Sequence, residues 1–118
     1  MQDTEMFIKE VDSPQLVSKM EENDDLVIID VREMHEINRG TIQGAIPMPM
    51  ATIPVRLDEI PKDKEVVFIC RSGARSGQVC MFLGQHGYEN VINLSGGIIG
   101  WVRSGYQPVL PDQVSSTY

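Results

Sequence analysis

The sequence predicts an α/β fold: a mostly parallel central sheet of about five short strands with helices on both faces. Two observations carry that expectation. Residues 26–29 and 66–69 are short, uninterrupted apolar runs rich in β-branched residues, the composition of strands buried on both faces. Segments with apolar residues at helical spacing follow or separate such runs, and this alternation is what parallel crossover connections need.

The elements follow in order. An extended piece at 7–11 leads to Ser13, suited to cap a helix, and Pro14, at home in a first helical turn. Leu16, Val17 and Met20 recur at helical spacing over 14–22, and the acidic stretch 21–25 reads as a solvated turn. The strand at 26–29 delivers Asp30 and Arg32 at its C-terminal end. A short helix over 33–38 stops at Gly40, and a brief strand at 45–47 is ended by Pro47 and Pro49. Met48 and Met50 read as adaptable core fillers. Another short helix is expected over 52–57, before the polar turn at 61–64. After the strand at 66–69, a helix runs from Arg75 to His86, a strand covers 91–93, and Gly96 and Gly97 introduce a last helix over 98–103. From Gln107 onward the chain is polar or proline-containing and is expected to fray. One domain over 1–118 results, with its core at 5–109 and a tail at 110–118.

A chain of 118 residues, 42% hydrophobic and 23% charged, has the composition of one globular domain. Its net charge of −7 argues against nucleic acid and anionic membrane as partners. No run approaches the roughly 18 apolar residues of a membrane span. The first six residues lack the basic-then-apolar order of a secretory signal, so a cytoplasmic location is expected. Two cysteines and two distant histidines are too sparse for a disulfide framework or a zinc site; no metal and no cofactor are expected.

The chemistry concentrates where the strand at 66–69 ends. Cys70 stands at its C-terminal end, the edge at which ligands gather in open α/β sheets. It is followed by Arg71, Ser72, Gly73, Ala74, Arg75 and Ser76. A free cysteine is most often a small core residue, but two arginines, a glycine and two serines are a poor way to fill a core. Loop N–H groups and the start of the next helix are expected to point at the sulfur. With Arg71 and Arg75 they are expected to draw its pKa below about 8.5, into the range of a nucleophilic thiolate. The same cradle suits a small anion.

Five segments together resemble the single-domain rhodaneses. They are Asp30 to Glu33, Gly40 with Gly44 to Pro47, the Cys70 loop, Gly87 and Tyr88 leading to Asn93 and Leu94, and Gly96 to Ile98 with Trp101. The resemblance implies a rhodanese-like fold and transfer of sulfane sulfur through a Cys70 persulfide. Thiosulfate or a thiol persulfide would be the small anionic donor, and cyanide, a thiol or a protein the acceptor. It implies that the N–H groups of 71–76 hold the persulfide, that Arg75 orients the sulfonate and that Arg71 adds positive field. It also implies supporting roles for Asp30 and Arg32, as an ion pair that holds the loop; Trp101 reads either as packed beneath or beside the pocket or as an ordinary core tryptophan. Where relatives commonly carry glycine-histidine-isoleucine, this chain has Gly40, Thr41 and Ile42.

Loop length separates two chemistries of this fold. Cysteine phosphatases carry their arginine one position further from the nucleophile than Arg75 lies from Cys70, and position 76 here is a serine. The loop is therefore of the shorter sulfurtransferase kind. Its two arginines favour thiosulfate or a persulfide over mercaptopyruvate. A protein-binding module on the same fold and a protein-to-protein sulfur carrier are the alternatives, and the intact Cys70 argues against the first. Cys80 falls in the following helix among Val79, Phe82 and Leu83 and reads as a core residue, carried from the loop by about 1.5 Å of rise per residue. His35 and His86 are isolated and are given no catalytic role.

Overall fold

A computed structural model describes residues 8–111. Five parallel strands form one sheet: β1 (Lys9–Val11), β2 (Val27–Asp30), β3 (Ile46–Pro47), β4 (Val66–Ile69) and β5 (Val91–Leu94). Their spatial order is β1-β5-β4-β2-β3, every neighbouring pair parallel. Four helices accompany them, α1 (Ser13–Glu22), α2 (Met34–Ile37), α3 (Ala74–Gln85) and α4 (Gly97–Arg103), with 3₁₀ segments at Met50–Val55 and Leu57–Glu59. The α/β sheet expected from the sequence is the one observed.

Side-chain alternation along the strands builds two cores. Val27, Ile29, Val31, Val66, Phe68, Cys70 and Val91 belong to one face, where α3 contributes Val79, Cys80 and Leu83 and the 3₁₀ region contributes Ile53. Ile28, Val67, Ile69, Ile92 and Leu94 belong to the other, with Leu16 of α1 and Trp101 of α4. A period of two within continuous apolar runs is what a sheet covered on both faces demands. Because the strands are parallel, their C-terminal ends share one edge, and that edge receives Asp30, Cys70 and Leu94.

The helix start at α1 differs by one residue from the sequence expectation. Asp12, not Ser13, is the cap: its carboxylate accepts from Gln15 N–H at 2.9 Å, while Gln15 Oε1 accepts the Asp12 N–H at 2.8 Å. Both orphan groups are satisfied reciprocally, which Ser13 cannot match without a partner three residues on. Pro14 stands in the first turn as expected. The expected helix over 52–57 is instead two 3₁₀ pieces, since Pro54 removes a donor from its interior.

The C-terminal segment is also better fixed than its composition suggests. Thr41 N–H donates to the Val109 carbonyl at 2.7 Å and Val109 N–H to the Thr41 carbonyl at 2.8 Å. Trp101 Nε1–H donates to the Gln107 carbonyl at 3.3 Å. Residues 107–109 are thus paired rather than frayed; of the expected tail, 112–118 lie outside the described residues.

Asp30 and Arg32 form a buried ion pair. Arg32 Nε–H donates to Oδ1 at 3.0 Å and Nη2–H to Oδ2 at 2.7 Å, with Asp30 wholly inaccessible. Such a pair persists in low dielectric only when its other polar atoms are satisfied. Thr41 Oγ1–H supplies one partner, donating to Asp30 Oδ2 at 2.7 Å, and the Gly40 carbonyl supplies another, accepting from Arg32 Nη2 at 2.6 Å. The pair therefore anchors residues 40 and 41, not the loop after Cys70 as the resemblance implied. Thr41→Val should leave the buried carboxylate short of a donor and cost about 1–3 kcal/mol in urea unfolding, with Thr41→Ser, which keeps the hydroxyl, costing less.

Candidate active site

β4 lies inside the sheet, and the chain leaves it toward β5 through α3, whereas it leaves β2 toward β3 on the other side. The crevice between two such diverging connections is where α/β sheets bind ligands. Cys70 occupies its lip, the first residue after β4, and is only 1% exposed.

Three features turn the following loop around the sulfur. Gly73 adopts φ +103°, in the left-handed region, and its N–H donates to Cys70 Sγ at 3.1 Å. Ser76 is buried in the first turn of α3 with Oγ at 3.3 Å from Sγ. The N–H groups of Ser72 and Ser76 also act on the sulfur. Meanwhile the carbonyls of Cys70 and Arg71 turn away, accepting the Ile98 and Ile99 N–H groups of α4 at 2.9 and 3.1 Å. Those amides belong to the four that a helix start leaves unpaired, so loop and helix satisfy each other. Gly97 makes this approach feasible: a Cβ there would lie 2.4 Å from the Arg71 carbonyl oxygen.

Burial opposes ionisation of Cys70, yet the hydrogen bonds from Ser76, Gly73 and Ser72 outweigh it and hold the thiol below its ordinary pKa. The sequence argument expected this depression from the loop N–H groups and the helix start together with Arg71 and Arg75. The hydrogen-bond donors at the sulfur are the main groups that lower it. Arg75 makes a two-pronged pair with Glu36 of α2, at 2.8 and 2.9 Å, and Arg71 is exposed. The Arg75 guanidinium holds the Glu36 carboxyl down at about 2. A groove of about 460 Å³ beside the loop is lined by Arg71, Arg39, Arg32 and Glu36 on its polar side and by Ile98 and Ile99 on its apolar side.

The remaining expected site residues fall as follows. Ala74 is exposed at the start of α3. Trp101 is a core residue of the face opposite Cys70, its ring against Tyr106 at 4.7 Å. Cys80 is buried in the core under α3, and burial pushes its thiol up to about 12. A cavity of about 340 Å³ lies beside it, between Ile8, Met81 and Tyr88. His86 is engaged with the Phe82 carbonyl at 2.9 Å. Among the described residues no three His, Cys, Asp or Glu side chains gather as metal ligands, and no helix is long and apolar enough to cross a membrane.

Sequence reasoning missed three contributors. Glu36, Asn93 and Gly97 all reach the loop. Asn93 had a signal: it is a buried polar residue between Ile92 and Leu94. Its amide donates to the Gly73 carbonyl at 3.1 Å and to Glu10 Oε2 at 2.9 Å, and its Oδ1 accepts from Ser76 Oγ at 2.5 Å.

The Rhodanese-like domain model matches residues 13–104. A protein of Allochromatium vinosum named as a sulfurtransferase is 47% identical over 90% of this chain and 99% of its own length. A putative sulfurtransferase of Bacillus subtilis is 44% identical over 81% and 92%. A thiosulfate sulfurtransferase of Glaesserella parasuis is 34% identical over 78% and 85%. Among solved structures, a rhodanese-related protein of Thermoplasma volcanium superposes with a TM-score of 0.79 at 29% identity, over 87% of this chain and 99% of that one.

Two outcomes follow from the geometry. Alkylation of the native protein at mild pH should consume Cys70 alone, with a midpoint below that of a free thiol, and Ser76→Ala should move that midpoint up. The Arg75–Glu36 pair gives a second, in acid. Glu36 has a depressed folded pKa, so its stabilisation is complete above the unfolded value of 4.5 and fades as pH falls toward about 2. Urea unfolding should thus show Glu36→Gln less stable than the wild type at neutral pH, and the difference should close between pH 4.5 and 2.

Proposed function

The chain belongs to the rhodanese-like domain family, and from that premise we propose that it moves sulfane sulfur from thiosulfate or a thiol persulfide to a thiophilic acceptor through a persulfide on Cys70. The observation that carries the proposal is the buried Cys70 sulfur ringed by N–H and O–H donors from Gly73, Ser76 and Ser72. It needs no histidine base, because the donors favour the thiolate directly.

In the proposed cycle the Cys70 thiolate attacks the outer sulfur of thiosulfate. A Sγ–S bond forms as the donor's S–S bond breaks, and sulfite leaves with the electron pair. The negative charge then resides on the terminal sulfur, within the converging loop N–H groups, which stabilise it without reorganising. Cyanide or a thiolate attacks that sulfur, leaves as thiocyanate or a new persulfide, and returns Cys70 to the thiolate. No external oxidant or reductant enters, and the kinetics are ping-pong. Arg71, at the groove, and Arg75, which keeps N–H groups beyond those given to Glu36, supply positive charge for a sulfonate or carboxylate on the donor.

The test is intact mass after incubation with excess thiosulfate and removal of the donor. One added sulfur on the wild type, none on Cys70→Ser, and release as thiocyanate by cyanide are expected. Loading by glutathione persulfide but not by thiosulfate would assign a thiol persulfide as the donor. Loading by neither would overturn the enzyme reading in favour of a binding module. Arg75→Ala should lower kcat/KM for thiosulfate about 10- to 100-fold, the worth of a charged hydrogen bond at about 1.5–3 kcal/mol.

A further inference from the structure

Asn93 lies on β5, outside the loop the reaction uses, yet two hydrogen bonds fix it against that loop and a third ties it to β1. It is 2% exposed on β5. The Glu10 carboxylate and the Gly73 carbonyl can only accept, so the two donors of the Asn93 amide nitrogen must face them, at 2.9 and 3.1 Å. The amide oxygen is thereby committed to Ser76 Oγ, 2.5 Å away. Ser76 has a single hydroxyl proton and two acceptors within reach, Asn93 Oδ1 at 2.5 Å and Cys70 Sγ at 3.3 Å.

We propose that Asn93 is a positioning residue that accepts the Ser76 hydroxyl hydrogen bond whenever Sγ carries no charge and loses that hydrogen bond to Sγ in the thiolate. In the thiol, the Cys70 S–H donates to Ser76 Oγ and Ser76 donates to Asn93. On ionisation the hydroxyl rotates to the sulfur and Asn93 Oδ1 is left without its donor, a cost charged to the thiolate. Persulfide formation removes the charge from Sγ to the terminal sulfur, so the hydroxyl turns back to Asn93. Only a rotation occurs; no bond is made or broken at Asn93. Asn93 thus biases the site toward the sulfur-loaded state over the empty thiolate. The inference rests on the persulfide reading for that last consequence, but its thiol–thiolate half stands without it.

The charged groups packed about the loop are Arg71 within it, the Arg75–Glu36 pair from α3 and α2, Glu10 from β1 and the Asp30–Arg32 pair beyond β2. The variants below leave all of them in place. The pH dependence of Cys70 alkylation should shift down by about half a unit in Asn93→Ala, roughly a threefold gain in thiolate below the midpoint, because the competing acceptor is gone. It should shift up in Ser76→Ala, and Asn93→Ala should add nothing in the Ser76→Ala background. A purely structural clamp on Gly73 would instead move Asn93→Ala upward, in either background, and either result overturns the proposal. A second measurement needs no variant. In the wild type, the Asn93 side-chain carbonyl ¹³C shift should titrate together with Cys70; a flat response sinks the idea. In protein loaded with sulfur that shift should hold its low-pH value, and the thiolate value there would refute the loaded-state bias. Failure to load sulfur at all, with the alkylation pattern intact, counts against the sulfurtransferase reading and not against Asn93.

Discussion

The site depends on how two carbonyl groups are disposed of. A loop that offers its N–H groups to one sulfur must send its carbonyls somewhere else, and buried carbonyls need donors. Here the Cys70 and Arg71 carbonyls meet the first amides of α4, which have no partners within their own helix. The contact is possible only because residue 97 has no side chain. The geometry of the sulfur cradle is thus set by a helix that follows the next strand, and β5 and α4 are as much part of the site as β4 and α3.

The two cysteines of this chain form an internal comparison. Both are nearly inaccessible, at 1% and 4% exposure, and burial, with a smaller push from the Glu10 carboxylate, drives Cys80 up to about 12. Cys70 suffers the same kind of desolvation and still ends below the ordinary thiol value. The difference is the ring of oriented donors, fixed by the fold before any substrate arrives. Charge at long range contributes less, because Arg75 is already matched by Glu36. An acidic protein can therefore favour a thiolate through oriented donors at the sulfur itself.

What was legible in the sequence was whatever short-range pattern dictates. The apolar runs at 26–29 and 66–69 gave two central strands because burial on both faces leaves no room for polar residues, and Cys70 stood out because its neighbours contradict a core. Pairings across long separations were not legible. Glu36 and Arg75 are 39 residues apart, and Thr41 meets Val109 only once the sheet has formed. Polar composition after Gln107 suggested fraying, since composition cannot reveal that backbone groups have found a ladder. Asn93 was visible in principle, as a polar residue in a buried strand, but the sequence does not show what it touches. The hydrogen bond from the Thr41 hydroxyl to the Asp30 carboxylate was likewise not legible before the fold brought the two together.

A parallel sheet also sorts the ends of the molecule. Every strand runs the same way, so residue 8, at the entrance to the edge strand β1, lies at the end of the sheet opposite the cysteine. Residue 108, by contrast, borders the groove beside Arg71, packed against Gly40. A tether that leaves from residue 8 therefore starts at the end of the sheet away from Cys70. A tether that leaves from residue 108 starts instead at the rim of the groove beside Arg71.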